Sequence, residues 1–122
     1  MPTEPEPVTV AQIVHRAARV CDPEGLNDGV SDLLVRFEDD DEPVVGAIAF
    51  DRRLDEAVGA VDPQAEDPAV IMAAAVIRYL AHRRDELDGT REDILRLAAR
   101  AELDATPPAA VSEWLAAQGV SV

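Results

Sequence analysis

Few side chains in this 122-residue sequence have a type and spacing that suits chemistry, and His15, His82 and Cys21 come first. A transition-metal site needs three or four His, Cys or carboxylate ligands at one point, often encoded as His-Glu-x-x-His or as paired cysteines. Neither histidine stands in such a spacing. Each lies beside arginine in a helical stretch and reads as a solvated or hydrogen-bonded surface residue. A single cysteine leaves no intrachain disulfide and no Cys-rich metal site. Cys21 reads as a small apolar residue on a helix face. Ser31, Ser112 and Ser121 lack the strand–turn–helix context of an activated serine. The glycines stand singly at helix ends and turns, so no phosphate-binding loop is encoded. No metal or cofactor is expected.

Carboxylates are the abundant chemical group: 25 Asp and Glu against 11 arginines, with no lysine, for a net charge of −14. An EF-hand loop needs ligands at its first, third and fifth positions and glycine at its sixth. Counting from Asp22 puts Leu26 fifth and Asn27 at the glycine position; placing Gly29 there instead makes Leu26 a ligand position. Both registers fail. The run Glu38, Asp39, Asp40, Asp41 and Glu42 reads as a solvated, self-repelling turn, with loose binding of hard cations as its chemical alternative. Among so many acids a pair suited to general acid–base work always exists, so that search discriminates nothing.

The charge is uneven. Residues 1–66 carry a net of −11 and residues 67–122 a net of −3, and the six arginines of the second part all lie between Arg78 and Arg100. Arg78, Arg83 and Arg84 sit toward the end of one helical segment. They are read either as ion pairs with nearby acids such as Asp85, Glu86, Glu92 and Asp93, or as a face for an acidic partner. The strong negative field makes naked nucleic acid and anionic membrane poor partners. No basic-flanked apolar leader is present, and the longest apolar run, Ala69 to Ile77, is too short to span a bilayer. These features place the protein in the cytoplasm.

The elements that must carry these residues are helices. Aromatic residues make up 3% of the chain while hydrophobic residues reach 48%, chiefly Ala, Val and Leu, which suits closely packed helical backbones. Residues 1–7 read as a disordered, proline-rich leader, and 8–122 as one helical domain. Thr9 caps a first helix with Val10, Ile13, Val14, Ala17 and Val20/Cys21 on one face, ended by Asp22-Pro23. Gly25 to Gly29 form a loop, and Val30, Leu33, Leu34 and Phe37 a second helical stripe. Residues 44–61 read as a third helix, with a hairpin between 32–37 and 44–50 as the alternative. Asp67-Pro68 is an N-cap followed by proline at the first helical position. It opens a central helix over 68–86 whose first half is apolar on every face and must be covered on most sides. Thr90 with Asp93 resembles a capping box before a fifth helix marked by Ile94, Leu97/Ala98 and Ala101. A sixth starts at Thr106-Pro107-Pro108, carries Val111, Trp114 and Leu115, and closes at Gly119. No internal repeat of fixed period is evident. The expected fold is all-α: a compact bundle of five to six short helices around residues 68–86.

Leu97-Ala98-x-x-Ala101-x-Leu103, a break, and Ala110-Val111-Ser112-Glu113-Trp114-Leu115 resemble a helix-turn-helix of bacterial repressors. This resemblance covers about 20 residues and implies a DNA-binding regulator using residues 90–119, in a host with GC-rich coding or high internal salt. The connection is longer than the usual tight turn, and the second helix carries no basic or amide side chain before Gln118 to read a base edge. The leading expectation is therefore a non-enzymatic acidic helical protein acting through protein–protein interaction, as a regulatory or assembly subunit. A specialised form would mimic nucleic-acid charge. The partner is another protein or a second copy of the chain, and the candidate contact residues are Glu38 to Glu42, Arg78, Arg83, Arg84 and Trp114. Trp114 either fills the core or anchors such a contact.

A chain with this net charge repels itself when compact, and counterions relieve that repulsion. The melting temperature should climb between low and molar salt, followed by circular dichroism; a flat or falling trend would show that the acids are already neutralised by arginines.

Overall fold

Asp67 and Pro68 start the helix on which the rest of the molecule is assembled. In a computed structural model that describes residues 8–43, 50–83, 89–103 and 108–120, the Asp67 carboxylate accepts from Ala69 N at 3.0 Å and Pro68 takes the first helical position. The elements are α1 (Val10–Cys21), α2 (Asp28–Phe37), α3 (Phe50–Val61), α4 (Pro68–His82), α5 (Arg91–Glu102) and α6 (Ala109–Ala117). Among the described residues the architecture is all-helical; the one strand-like feature is an isolated antiparallel bridge between Thr9 and Pro43. Helix α4 packs against each of the other five. Of the apolar run Ala69 to Ile77, every residue except Ile71 is buried, and Tyr79 and Leu80 extend the buried surface. An all-round apolar helix is stable in water under such cover and not otherwise.

Local chemistry accounts for the helix starts. The Thr9 hydroxyl accepts from Gln12 N at 3.2 Å while Gln12 Oε1 accepts from Thr9 N at 2.9 Å, a reciprocal capping box. Val10, Ile13, Val14, Ala17, Val20 and Cys21 then turn inward, as their spacing requires. Thr90 caps α5 through Asp93 N at 3.2 Å. The buried face of α5 differs from expectation: Ile94, Leu95, Ala98 and Ala99 are buried, whereas Ala101 is exposed. Helix α5 touches both α4 and α1, so a wider arc is covered and the face is turned toward Leu95 and Ala99.

Gly29, expected in a loop, lies inside α2. A Cβ there would meet Val70 Cγ2 at 2.6 Å, so glycine is what lets the first turns of α2 and α4 touch. The hairpin alternative fails at its first strand, because 32–37 are helical in α2. Its second strand at 44–49, the leader 1–7, residues 84–86 of the expected central helix and the Thr106-Pro107 start of α6 lie outside the described residues.

An internal repeat is present, contrary to the sequence reading. Helices α1 and α3 are both twelve residues long and lie 40 residues apart, as do the starts of α2 and α4. The turns between them are made alike. Asp22 accepts from Leu26 N at 3.0 Å and Asn27 N at 2.9 Å; Asp62 accepts from Glu66 N at 3.1 Å and Asp67 N at 3.0 Å. Proline follows each aspartate, and Gly25 and Ala65 both take positive φ, at 69° and 51°. Asn27 and Asp67 then cap α2 and α4, and the Asn27 amide donates to the Asp67 carboxylate at 3.2 Å. The two helical hairpins therefore meet at their equivalent caps.

Gly29→Val should destabilise the protein by about 1–3 kcal/mol through overpacking against Val70. Gly59→Ala, in a helical position with open space around its Cα, should stabilise it by about 0.5–1 kcal/mol. Urea unfolding measures both, and equal effects would refute the close approach at Gly29.

Candidate functional site

The first of the two repeated turns forms one wall of a surface cleft. The cleft has a volume of about 460 Å³ and lies between residues 21–27, Arg91 at the start of α5, and Trp114 and Gln118 at the end of α6. Two bonds hold Arg91 in place: its Nε donates to the Val20 carbonyl at 2.6 Å, and its guanidinium donates to the Gln118 side-chain carbonyl. One arginine thus ties the C-terminal end of α1 to the end of α6. Trp114 is half-buried, packs against the hydrophobic core and borders the cleft. Of the two roles read from sequence, core filling is met in part by this position. Leu26 projects from the turn with 76% of its surface exposed, and Glu24 beside it is exposed. A second depression, of about 270 Å³, lies on the other side of the same turn and includes Arg19, Ser31 and Leu34.

The acidic run lies elsewhere and is partly occupied. Asp40 and Glu42 present backbone carbonyls to Ala11 N at 2.9 Å and Val10 N at 3.0 Å, satisfying donors in the first turn of α1. Their carboxylates hold Arg53, which bonds Asp40 directly and Glu42 at 3.0 Å. The Arg53 guanidinium also sits 5.8 Å from the centre of the Phe37 ring, which packs edge-to-face on Phe50 at 6.0 Å. The hydrogen bond that Arg53 donates to the Asp40 carboxylate holds the Arg53 pKa above its usual value. Glu38, Asp39 and Asp41 are exposed. This clasp joins α2, α3 and the N-terminal end of α1, whereas the Trp114 cleft lies at the C-terminal end of α1. A twelve-residue helix separates them by about 18 Å, so the acid run and Trp114 are not brought together.

The arginines are also dispersed. Arg78 pairs with Asp55 of α3, 23 residues away in sequence, and Arg96 pairs with Asp93 within α5; Asp85 and Glu86, read as nearby partners, lie outside the described residues. Arg83 is exposed at the C-cap of α4, and Arg84 lies outside the described residues. His15 and His82 are both exposed. No group of three or more His, Cys, Asp and Glu is placed to hold a metal ion among the described residues. No helix among them is long and apolar enough to cross a membrane.

Leu26, Arg91 and Gln118 did not stand out in the sequence. Leu26 carried one signal, a large apolar side chain inside a turn otherwise built from Asp, Pro, Glu, Gly and Asn. Arg91 and Gln118 carried none for this role, because Arg91 reaches a backbone carbonyl 71 residues away and Gln118 lies 27 residues from Arg91. No protein-family model, curated protein or solved structure matches this chain, so its functional reading rests on its own residues.

Cys21 closes the floor of the cleft without facing it as a reagent. It is 4% exposed, and burial drives its thiol pKa well above the usual value, outweighing the opposing effect of Arg91. A thiol in this state is not a nucleophile at neutral pH. Labelling by an aromatic disulfide reagent should be negligible in the native protein and become complete on addition of denaturant. Fast native labelling would show that the cleft opens to Cys21.

Proposed function

We propose that this protein is a non-enzymatic acidic interaction module, a regulatory or assembly subunit that works by binding another protein. The observation that carries this reading is the cleft, lined by both the sole tryptophan and Leu26, the most exposed leucine among the described residues. Tryptophan is enriched among residues that dominate binding energy, and it does so when its ring is part of a pocket that a partner can seal. Arg91 and its two bonds hold the walls at fixed separation, which lowers the ordering cost of association. Large apolar side chains are otherwise withdrawn from the described surface, Val35 at 59% exposure being the other exception.

The helix-turn-helix resemblance gains nothing from the placement of α6. Its exposed residues are Ala109, Ala110, Ser112, Glu113, Ala116 and Ala117, a surface with one acid and no basic or amide side chain.

The reading is tested by affinity capture from the source cells, mass spectrometry, and reconstitution of the complex from purified components, beside a DNA mobility-shift titration. A stoichiometric complex that survives physiological salt is expected, with no retardation of duplex DNA at any salt concentration. DNA binding that weakens with salt along a counterion-release slope would replace this reading with the regulator.

A further inference from the structure

The internal repeat supplies a control for which residues of the first turn serve the fold and which serve something else. Both turns make the same backbone bonds to their leading aspartate. At the position of Leu26 the second turn has Glu66, and at the position of Glu24 it has Gln64, all four exposed. The turn therefore requires neither a leucine nor an acid at these places. Nevertheless the copy that borders the Trp114 cleft carries a leucine with 76% of its surface in water.

We infer that this cleft is the docking site for a basic, apolar peptide segment of a partner protein, which seats an aliphatic side chain between Leu26 and Trp114 and places an arginine or lysine against Glu24. This rests on the interaction reading above. Charge complementarity selects the occupant. Two carboxylates, Asp22 and Glu24, line the cleft against a single cation, and Glu24 is exposed. The cation lining the cleft, Arg91, already donates to the Val20 carbonyl and to Gln118. A second copy of the chain would bring another −14 of charge to this cleft, which opposes self-association here.

Trp114 is the sole tryptophan, so its fluorescence reports on the cleft directly. The probe is a short synthetic amphipathic peptide containing only leucine and arginine, titrated into the full-length protein at about 0.15 M salt, where remote charges are largely screened. Two control peptides replace leucine by serine or arginine by glutamate. A saturable shift in Trp114 emission is expected with the first peptide and not with either control. Leu26→Glu, which installs the residue of the equivalent turn, should weaken binding about tenfold or more, the range for withdrawing a leucine from a buried contact. Glu24→Gln should weaken it several-fold, with a shallower salt dependence. Both variants should melt like the parent, because the second turn folds with these residues.

The inference is overturned if the serine peptide binds equally well, if the two variants leave binding unchanged, or if no peptide shifts Trp114. It is overturned also if sedimentation finds a dimer that Leu26→Glu dissociates, since the occupant would then be a second copy. A reconstituted partner that binds the parent and both variants equally would leave the interaction reading standing and remove it from this cleft.

Discussion

The fold depends on covering one helix whose first ten residues present no polar face. Helix α4 exposes almost nothing of its first ten residues, and leaving those side chains in water would cost more than a domain of this size has to spare. Each other helix contributes a face to it. Alanine is what makes the arrangement possible. Ala69, Ala73, Ala74 and Ala75 let neighbouring backbones approach closely, and Gly29 lets α2 come closer still, against Val70. The scarcity of aromatics is the composition of such a core, not a sign that a core is lacking.

The second organising feature is the pair of equivalent turns. In each, one aspartate satisfies two amides that no helix bond can reach, and the next residue locks the backbone as proline. The left-handed position is glycine in one copy and alanine in the other, where it costs about 1 kcal/mol. Their N-caps bond each other, so the two hairpins meet at matching points. The environments of the copies then diverge. The outer side of α4 is covered by α5 and α6, whereas the residues of α2 at corresponding positions, such as Asp32, Val35 and Arg36, remain exposed. That difference leaves the first turn beside a cleft.

Charge has been distributed to match. Asp40 and Glu42 neutralise Arg53 over the ring of Phe37, and Asp55 takes Arg78. These are exposed or half-exposed pairs that contribute little stability individually. Their value lies in position: Arg53 of α3 clasps the connection after α2, whose backbone carbonyls at Asp40 and Glu42 hold the start of α1. Glu38, Asp39 and Asp41 stay exposed, and the net charge of −14 works against compaction while keeping chains apart.

By itself the sequence determined the helical class, the residues buried in α1 and α2, the start of α4 at Asp67-Pro68 and the need to surround that helix. Each of these is written in local spacing, because a helix face and a cap are set by residues three or four apart. The 40-residue repeat was not legible, since the copies share chemistry at Asp22 and Asp62 but few residue identities, and hydrogen bonds, not residue names, define the match. Nor was the cleft. Trp114 was visible as a large apolar residue, but its companions come from the end of α1, the turn after it and the start of α5. Which acids would be occupied was equally closed to a local reading, as Arg78 pairs with Asp55, 23 residues away. Only the packing of six helices brings such groups within bonding distance, and that packing is decided by how α4 is covered.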